Sequence, residues 1–399
     1  MRKLNKTAAC GILAAALAAG TLSGCSKAID GTKTVATVGD EKVTLGLASY
    51  MVRDQQAQTM SYYNMLMSQY GVSGSASNVW DQKGDDGKTV GESSKDGVMT
   101  TINQLYVLKA HAADYDVTIT DDEEKAIKEA AAEFIKDNDE KILKKLAVSE
   151  DDIVTYLELV TIRSKMHDPM TADVDTEVSA NEKDQTRVTI VKVSTEGTEK
   201  DDDGNTIDLT DEEKAQKKNL AQQVLDKVKA SDDVANADMD ALAKEVDDSL
   251  SATAPAFTTA GSTDDTLDEA VQDAALELKD GEVADSVIEG DDGYYVVRLD
   301  KMLDEDATEN KEKTVISERK SDLFDSTLED WVKEEKIKVK DKVWDQITVT
   351  DSVSFVYKSA DSSDDTKSSD VQDSTEDTSS QDNSEDTTTE DTAAEDSAE

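Results

Sequence analysis

The sequence predicts an α+β protein that is mainly helical and carries one small α+β module in its second half. The 399-residue chain contains only two prolines and is rich in Ala, Lys, Glu and Asp, a composition that favours helices. Capping-box patterns open several segments with apolar residues at helical spacing. The two clearest β-branched runs both lie between residues 184 and 300, which places the sheet of the module there.

The first 24 residues are predicted to be an export signal of the lipoprotein type. A positively charged start precedes the apolar residues 8–19, a stretch shorter than the roughly 20 residues that a membrane-spanning helix needs. The tetrapeptide Leu22-Ser23-Gly24-Cys25 resembles the lipobox of bacterial lipoproteins. This resemblance implies cleavage before Cys25 and attachment of a lipid to its thiol, which would anchor the protein to a membrane.

The cysteine content and the net charge limit which bonds and binding partners the protein can have. Cys10 and Cys25 are the only cysteines, so the lipidated chain would keep no free thiol and form no disulfide. The net charge of −47 argues against nucleic acid as a partner, because phosphate would be repelled. Residues 359–399 are nearly all Ser, Thr, Asp and Glu and are predicted to form a disordered acidic tail.

The sequence predicts no cofactor and no metal site. An acidic run from Asp201 to Asn205 has some character of a calcium loop. It lacks the glutamate that an EF-hand needs at its twelfth position, where Thr210 stands six residues after Gly204.

A hairpin and a long helix open the predicted N-terminal domain, residues 25–180. The extended runs 35–38 and 42–45 flank the turn dipeptide Gly39-Asp40. A helix follows over residues 47–70, with a stripe of Met and Tyr at helical spacing. We interpret this stripe as core in preference to an adaptable surface for client proteins; its members are Met60, Tyr63, Met67 and Tyr70.

Three further helices complete this domain. Residues 71–96, rich in Gly, Ser and Asp, are expected to be a loop, and the next helix runs from about residue 98 to 115. Thr120 with Glu123 opens a third helix as a capping box, and Ser149 with Asp152 opens a fourth.

The α+β module is predicted over residues 181–304, with strands over 187–193 and 293–299. Between them lie a helix capped by Thr210 and Glu213, two helices over 239–246 and 266–278, and an extended stretch over 283–287. Residues 305–358 are expected to form a helix around Trp331 that returns to the first domain, followed by an extended segment over 339–350.

These blocks together resemble the extracytoplasmic foldases of the PrsA and SurA class. The resemblance rests on the hairpin 35–44, on the segment 102–123, and on residues 186–302, which resemble a parvulin-type prolyl isomerase module. It implies a mainly helical chaperone domain with an inserted parvulin-like module, on the extracytoplasmic face of a membrane in a Gram-positive source. The implied partners are unfolded or partly folded exported proteins.

The resemblance also implies that the isomerase chemistry is weak or lost. Parvulins use one histidine on the first strand and one on the last, and these positions fall on Ile190 and Tyr295. The only histidines, His111 and His167, lie outside the module. No catalytic residue is therefore predicted. Phe257, Leu267 and Tyr295 either line a remaining proline pocket or simply belong to the core, and we favour the core.

Three functions remain open at this point. The leading one is a membrane-anchored chaperone for exported proteins, and the second is an active peptidyl-prolyl cis-trans isomerase with a divergent site. The third, a solute-binding lipoprotein, would need two α/β lobes with repeated βαβ units. The long helical array with few strands places it last.

Overall fold

The computed structural model describes residues 16–19, 29–69, 78–197, 206–260 and 267–358. Four features singled out in the sequence lie outside these residues: Cys25, Tyr70, the acidic run 201–205 and the tail 359–399.

A small sheet and a long helix open the chain. Strand β1 is Leu17–Ala19, and the predicted hairpin is β2, Thr34–Val38, with β3, Glu41–Thr44. Gly39 has a φ of +55°, a conformation that glycine adopts without a steric penalty, so the turn forms where it was expected. Helix α1, Leu45–Gln69, follows directly.

Four more helices pack beside α1. They are α2, Val90–His111; α3, Asp121–Asp137; α4, Glu140–Leu146; and α5, Glu150–Met170. The capping boxes predicted at Thr120 and Ser149 are both present. The expected loop over 71–96 is wrong at its end, because Thr89 and Glu92 form a capping box that starts α2 at Val90.

The predicted module has its sheet between two helical layers. Its elements are α6, Ala180–Lys183; β4, Gln185–Ser194; α7, Asp211–Lys229; α8, Met239–Lys244; β5, Ala252–Thr253; β6, Ala256–Thr258; α9, Glu269–Leu276; β7, Ile288–Glu289; and β8, Gly293–Lys301. The strand order is β5-β4-β8-β7, and β6 pairs with the first three residues of β4. The stretch 283–287, expected to be extended, makes only a single bridge at Val283, and the strand β7 comes after it.

Side chains alternate between the two faces of the central pair, β4 and β8. Val191, Val193, Tyr294 and Val296 point to the face covered by α7 and α8. Val188, Ile190, Tyr295 and Val297 point to the face that packs with Phe257 and α9. The module thus has two apolar clusters, one on each side of its sheet.

The chain then returns to the first sheet. Helix α10 is Glu305–Glu334, β9 is Ile337–Val339, α11 is Asp341–Trp344, and β10 is Phe355–Tyr357. Strand β9 pairs with β2, giving the order β3-β2-β9. The extended segment expected over 339–350 is therefore wrong in part, since α11 interrupts it.

The helical region, which we define as α1 to α5 with α10, has one continuous apolar core. Tyr50 lies near its centre, edge-on to Phe134 at 5.3 Å and to Tyr156 at 5.0 Å between ring centroids. These edge-to-face arrangements are the preferred ones for aromatic pairs. With a mainly helical region and an inserted module around one sheet, the predicted α+β class is confirmed. None of the described helices is both long and apolar enough to cross a bilayer.

Polar contacts to α10 join the module to the helical region. Lys183 pairs with Glu312 at 2.9 Å and Arg319 with Glu182 at 2.5 Å. The Gln185 N–H donates to the Thr308 hydroxyl at 3.0 Å. The first half of α10 is thereby fastened to the start of β4.

Candidate functional site

Ile190 and Tyr295, which the resemblance predicts to stand where parvulins have histidines, lie on one face of the module sheet. Ile190 on β4 is paired with Val297 on β8, and Tyr295 stands two residues before that partner. Their side chains are 6% and 4% exposed, respectively. The strand pairing brings the two positions together as neighbours, but neither residue offers the titratable imidazole of a parvulin site.

Tyr295 is held by a polar group in the turn directly before β8. Its hydroxyl donates to Asp292, which also receives the Lys192 ammonium at 2.5 Å. The hydrogen bond from Lys192, followed by that from Tyr295, lowers the pKa of the Asp292 carboxyl. Burial, followed by the hydrogen bond to Asp292, raises the pKa of the Tyr295 hydroxyl. Tyr295 is thus a neutral phenol near pH 7, with its donor hydrogen already engaged.

Backbone packing covers the ring of Tyr295. A Cβ added at Gly290 would lie 2.9 Å from this ring and 2.4 Å from an Asp268 carboxylate oxygen, so only glycine fits there. The same Asp268 carboxylate accepts the Asp291 N–H at 2.7 Å, which fixes the turn before β8. The Asp268–Asp291 link and the Asp292–Lys192 pair were missed in the sequence, where nothing in the local pattern brings residues this far apart together.

The three candidates for a proline pocket are all deeply buried. Phe257, Leu267 and Tyr295 are 0%, 8% and 4% exposed, and they pack in one cluster with Ile190. Such burial is typical of core residues and supports the interpretation that we favoured from the sequence.

The two histidines lie in the helical region and contact aromatic rings of α10. His111 stacks on Trp331 with ring centroids 4.1 Å apart, and His167 lies against Phe324 at 5.5 Å. These contacts hold α10 against α2 and α5. Helix α5 continues past His167 and through Pro169 before it ends at Met170.

The most exposed apolar side chains of the helical region lie on the second half of α1. Met60 of the predicted stripe is buried, as expected, but Tyr63 and Met67 are only half-buried. Tyr62 and Met65 are 63% and 55% exposed. The core interpretation of the stripe is therefore wrong for Tyr63 and Met67, and the end of α1, residues 62–67, presents Met and Tyr side chains to solvent.

Two grooves lie on either side of α5. One is a cavity of about 670 Å³ between α5 and α10, and the other, of about 120 Å³, lies between α1, α2 and α5. They share Val160 and Arg163, so they adjoin. The larger groove combines apolar and polar side chains: Val160, Arg163, Ser164, His167, Asp168, Ser321, Phe324 and Asp325.

In the described part of the chain, no three His, Cys, Asp or Glu side chains are grouped so that they could hold a metal ion.

Comparison with known proteins gives a family for the module. The model of the PPIC-type peptidyl-prolyl isomerase (PPIase) domain matches residues 199–312, so the chain contains a domain of this type, and the parvulin-type resemblance is confirmed. The matched range includes Tyr295 but begins after β4, so it does not cover Ile190. A search of the curated proteins finds no match to the chain.

Several solved structures of PrsA and SurA-like proteins are similar to the chain. The foldase protein PrsA from Lactococcus lactis is 14% identical, with 78% of this chain and 96% of that chain covered and a TM-score of 0.31. The peptidylprolyl isomerase PrsA from Bacillus cereus is 20% identical, with 67% and 96% covered and a TM-score of 0.30. A structure from work on the SurA-like chaperones PEB4 and Cj1289 of Campylobacter jejuni is 10% identical, with 77% and 98% covered and a TM-score of 0.25.

Proposed function

We propose that the protein is a lipid-anchored chaperone that holds unfolded exported proteins at the extracytoplasmic face of a Gram-positive cell membrane. The observation that carries this proposal is the end of α1, where Tyr62 and Met65 are more than half exposed. Met is flexible and polarisable and Tyr is large and amphipathic, so such a surface adapts to different apolar segments. The adjoining grooves beside α5 would add polar contacts to client backbone.

The membrane anchor rests on the lipobox. In this proposal Cys25 carries the lipid, and with two or more acyl chains, at about 0.8 kcal/mol per buried CH₂, the attachment is lasting. The strong negative charge of the chain keeps the body of the protein away from anionic headgroups.

In this proposal the module adds contacts to client proteins and contributes little or no catalysis. The chaperone domain in this proposal comprises residues 25–180 and 305–358, and the module residues 181–304. Prolyl isomerisation crosses a barrier of about 20 kcal/mol, which a catalyst lowers with groups aimed at the twisted amide. Ile190 has no such group, and the hydroxyl of Tyr295 is committed to Asp292. We therefore expect weak or no isomerase activity.

The test uses the soluble form that starts at Ser26, with and without the double change Tyr62→Ser and Met65→Ser. Aggregation of an unfolded client is followed by light scattering. If about 40 Å² of apolar surface no longer covers the client, binding weakens by about 1 kcal/mol, or about fivefold, and correspondingly more protein is needed for equal suppression.

A matched pair of polar changes on the same exposed helix end, Ser61→Gln and Asn64→Gln, controls for the mutations themselves. Both variants should unfold within about 0.5 kcal/mol of the parent, because the sites are on the surface. Equal suppression by the parent and the Tyr62→Ser, Met65→Ser variant would contradict the proposal.

A second candidate, an active peptidyl-prolyl isomerase, is favoured by the PPIC-type match over residues 199–312. Cis-to-trans conversion of a proline peptide separates the two functions. Suppressed aggregation without isomerisation supports the chaperone, whereas clear acceleration would mean that the module catalyses without the histidine pair.

A further inference from the structure

The strand β1 lies in a slot of the helical region. It pairs antiparallel with β10, with Leu17 opposite Tyr357, Ala18 opposite Val356 and Ala19 opposite Phe355. Leu17 is 1% exposed and belongs to the same apolar core as Phe355. A three-residue segment of the predicted export signal thus occupies a site in the folded chain.

A buried polar side chain completes this slot. The Leu17 N–H donates to the Asn138 Oδ1 at 2.9 Å, and the Asn138 amide group donates in turn to the Phe134 carbonyl at 2.8 Å. Asn138 is only 6% exposed. Its Oδ1 is therefore an acceptor placed in the interior and aimed at the backbone of whatever strand lies on β10.

Contacts with α1 hold β10 in place from its other side. The Tyr357 hydroxyl donates to Asp54 at 3.0 Å, and the Gln56 amide donates to the Val353 carbonyl at 2.7 Å. The Arg53 guanidinium lies 5.1 Å from the centre of the Phe355 ring. Since none of these contacts involves β1, removal of β1 would leave β10 with an open edge. Within the described residues, β10 pairs with no other strand.

We propose that the mature protein uses this slot to bind an extended apolar segment of an unfolded exported protein, which adds to β10 as an antiparallel strand. The proposal rests on the proposed function, in that cleavage before Cys25 removes residues 17–19 and vacates the slot. An added strand satisfies the backbone of β10, and a leucine-sized side chain fills the place of Leu17. A charged side chain there would be desolvated without a partner, so the segment must be apolar.

The first measurement is fluorescence anisotropy of a labelled peptide with the sequence of residues 15–20 followed by two lysines. This peptide contains a single leucine, so its register on β10 is defined. The unsubstituted form starting at Ser26 should bind it, and the Leu17→Asp peptide should bind at least about tenfold more weakly. Equal binding of both peptides, or binding of neither, would overturn the proposal.

The second measurement tests the register. The form starting at Ser26 contains no cysteine, so Val356→Cys supplies a single thiol. With dissolved oxygen as the oxidant, a peptide with Ala18→Cys should form a disulfide about tenfold faster than one with Ala16→Cys, because only directly opposite residues bring their Cβ atoms within disulfide reach. Equal rates for the two peptides would mean that the peptide does not lie on β10 as β1 does.

The two measurements can overturn the slot proposal and the chaperone proposal independently of each other. Suppressed aggregation without peptide binding would overturn the slot and leave the chaperone intact. Peptide binding in register without suppressed aggregation would support the slot and contradict the chaperone.

Discussion

The module and the helical region differ in where they keep their apolar side chains. In the module, Ile190 and Tyr295 lie in a closed apolar cluster beneath the sheet, and Phe257 beside them is fully buried. In the helical region, Tyr62 and Met65 reach the surface, and β10 offers an edge that a short apolar strand covers. The surfaces proposed to bind clients therefore lie largely outside the domain that the family model matches.

The largest expected effect is a loss of stability confined to the module. Phe257→Ala removes a fully buried ring and should cost about 3–5 kcal/mol of the free energy of unfolding. Urea unfolding followed by circular dichroism measures this loss. If client binding lies in the helical region, aggregation suppression below the new unfolding midpoint should be unchanged.

The control for this change is Thr253→Ala, on an exposed position of the same sheet. It should alter the free energy of unfolding by less than about 0.5 kcal/mol. A parallel loss of chaperone activity in Phe257→Ala while the module is still folded would reverse the comparison.

A smaller loss of stability is expected in the helical region when the N-cap of α2 is removed. Thr89→Ala removes the hydroxyl that accepts the Glu92 N–H at the start of α2 and should cost about 1 kcal/mol. Thr100→Ala, an exposed change within the same helix, is the matched control and should stabilise slightly, because Ala has a higher helix propensity than Thr. Urea unfolding distinguishes the two, and equal losses would mean that the capping box does not stabilise α2.

The smallest effect concerns acid stability at the junction between the two regions. Hydrogen bonds from the Ser179 hydroxyl and backbone, and then from Arg319, lower the pKa of Glu182 to about 2. Because the folded pKa is below the unfolded one, this stabilisation is present above about pH 4.5 and is lost as the pH falls toward 2.

Glu182→Gln should therefore flatten the fall in stability across this pH range, whereas Glu318→Gln, on an exposed carboxyl of α10, should leave it as in the parent. Thermal unfolding at pH 2.5, 3.5, 4.5 and 6, on the order of one pH unit apart, measures this dependence. An unchanged profile in Glu182→Gln would mean that the junction does not carry this linkage.

Local signals explain what the sequence predicted well. The helices capped by Thr120, Ser149 and Thr210 were placed because a hydroxyl and a carboxyl three residues apart act within one turn. The same signal at Thr89 lies within a stretch rich in Gly and Ser that is typical of a loop, so the predicted start of α2 is several residues too late.

Long-range contacts explain what the sequence did not reveal. Strand β9 has three residues, and its existence depends on pairing across the chain, such as Val38 with Ile337. The hydrogen bond from the Leu17 N–H to Asn138 also joins residues far apart in the sequence. For the candidate site, the positions Ile190 and Tyr295 came from the resemblance, but the engagement of Tyr295 by Asp292 depends on the turn before β8.

Helix α10 fixes the distance and the relative rotation between the contacts at its two ends. Its 30 residues extend about 45 Å. The module contacts Thr308 and Glu312, and helices α2 and α5 contact Trp331 and Phe324. One residue added between these attachments would turn one end against the other by about 100°, and one added turn would shift it by about 5.4 Å. The number of residues between the two sets of contacts therefore fixes their relative orientation. We expect α10 to tolerate substitutions far better than insertions or deletions.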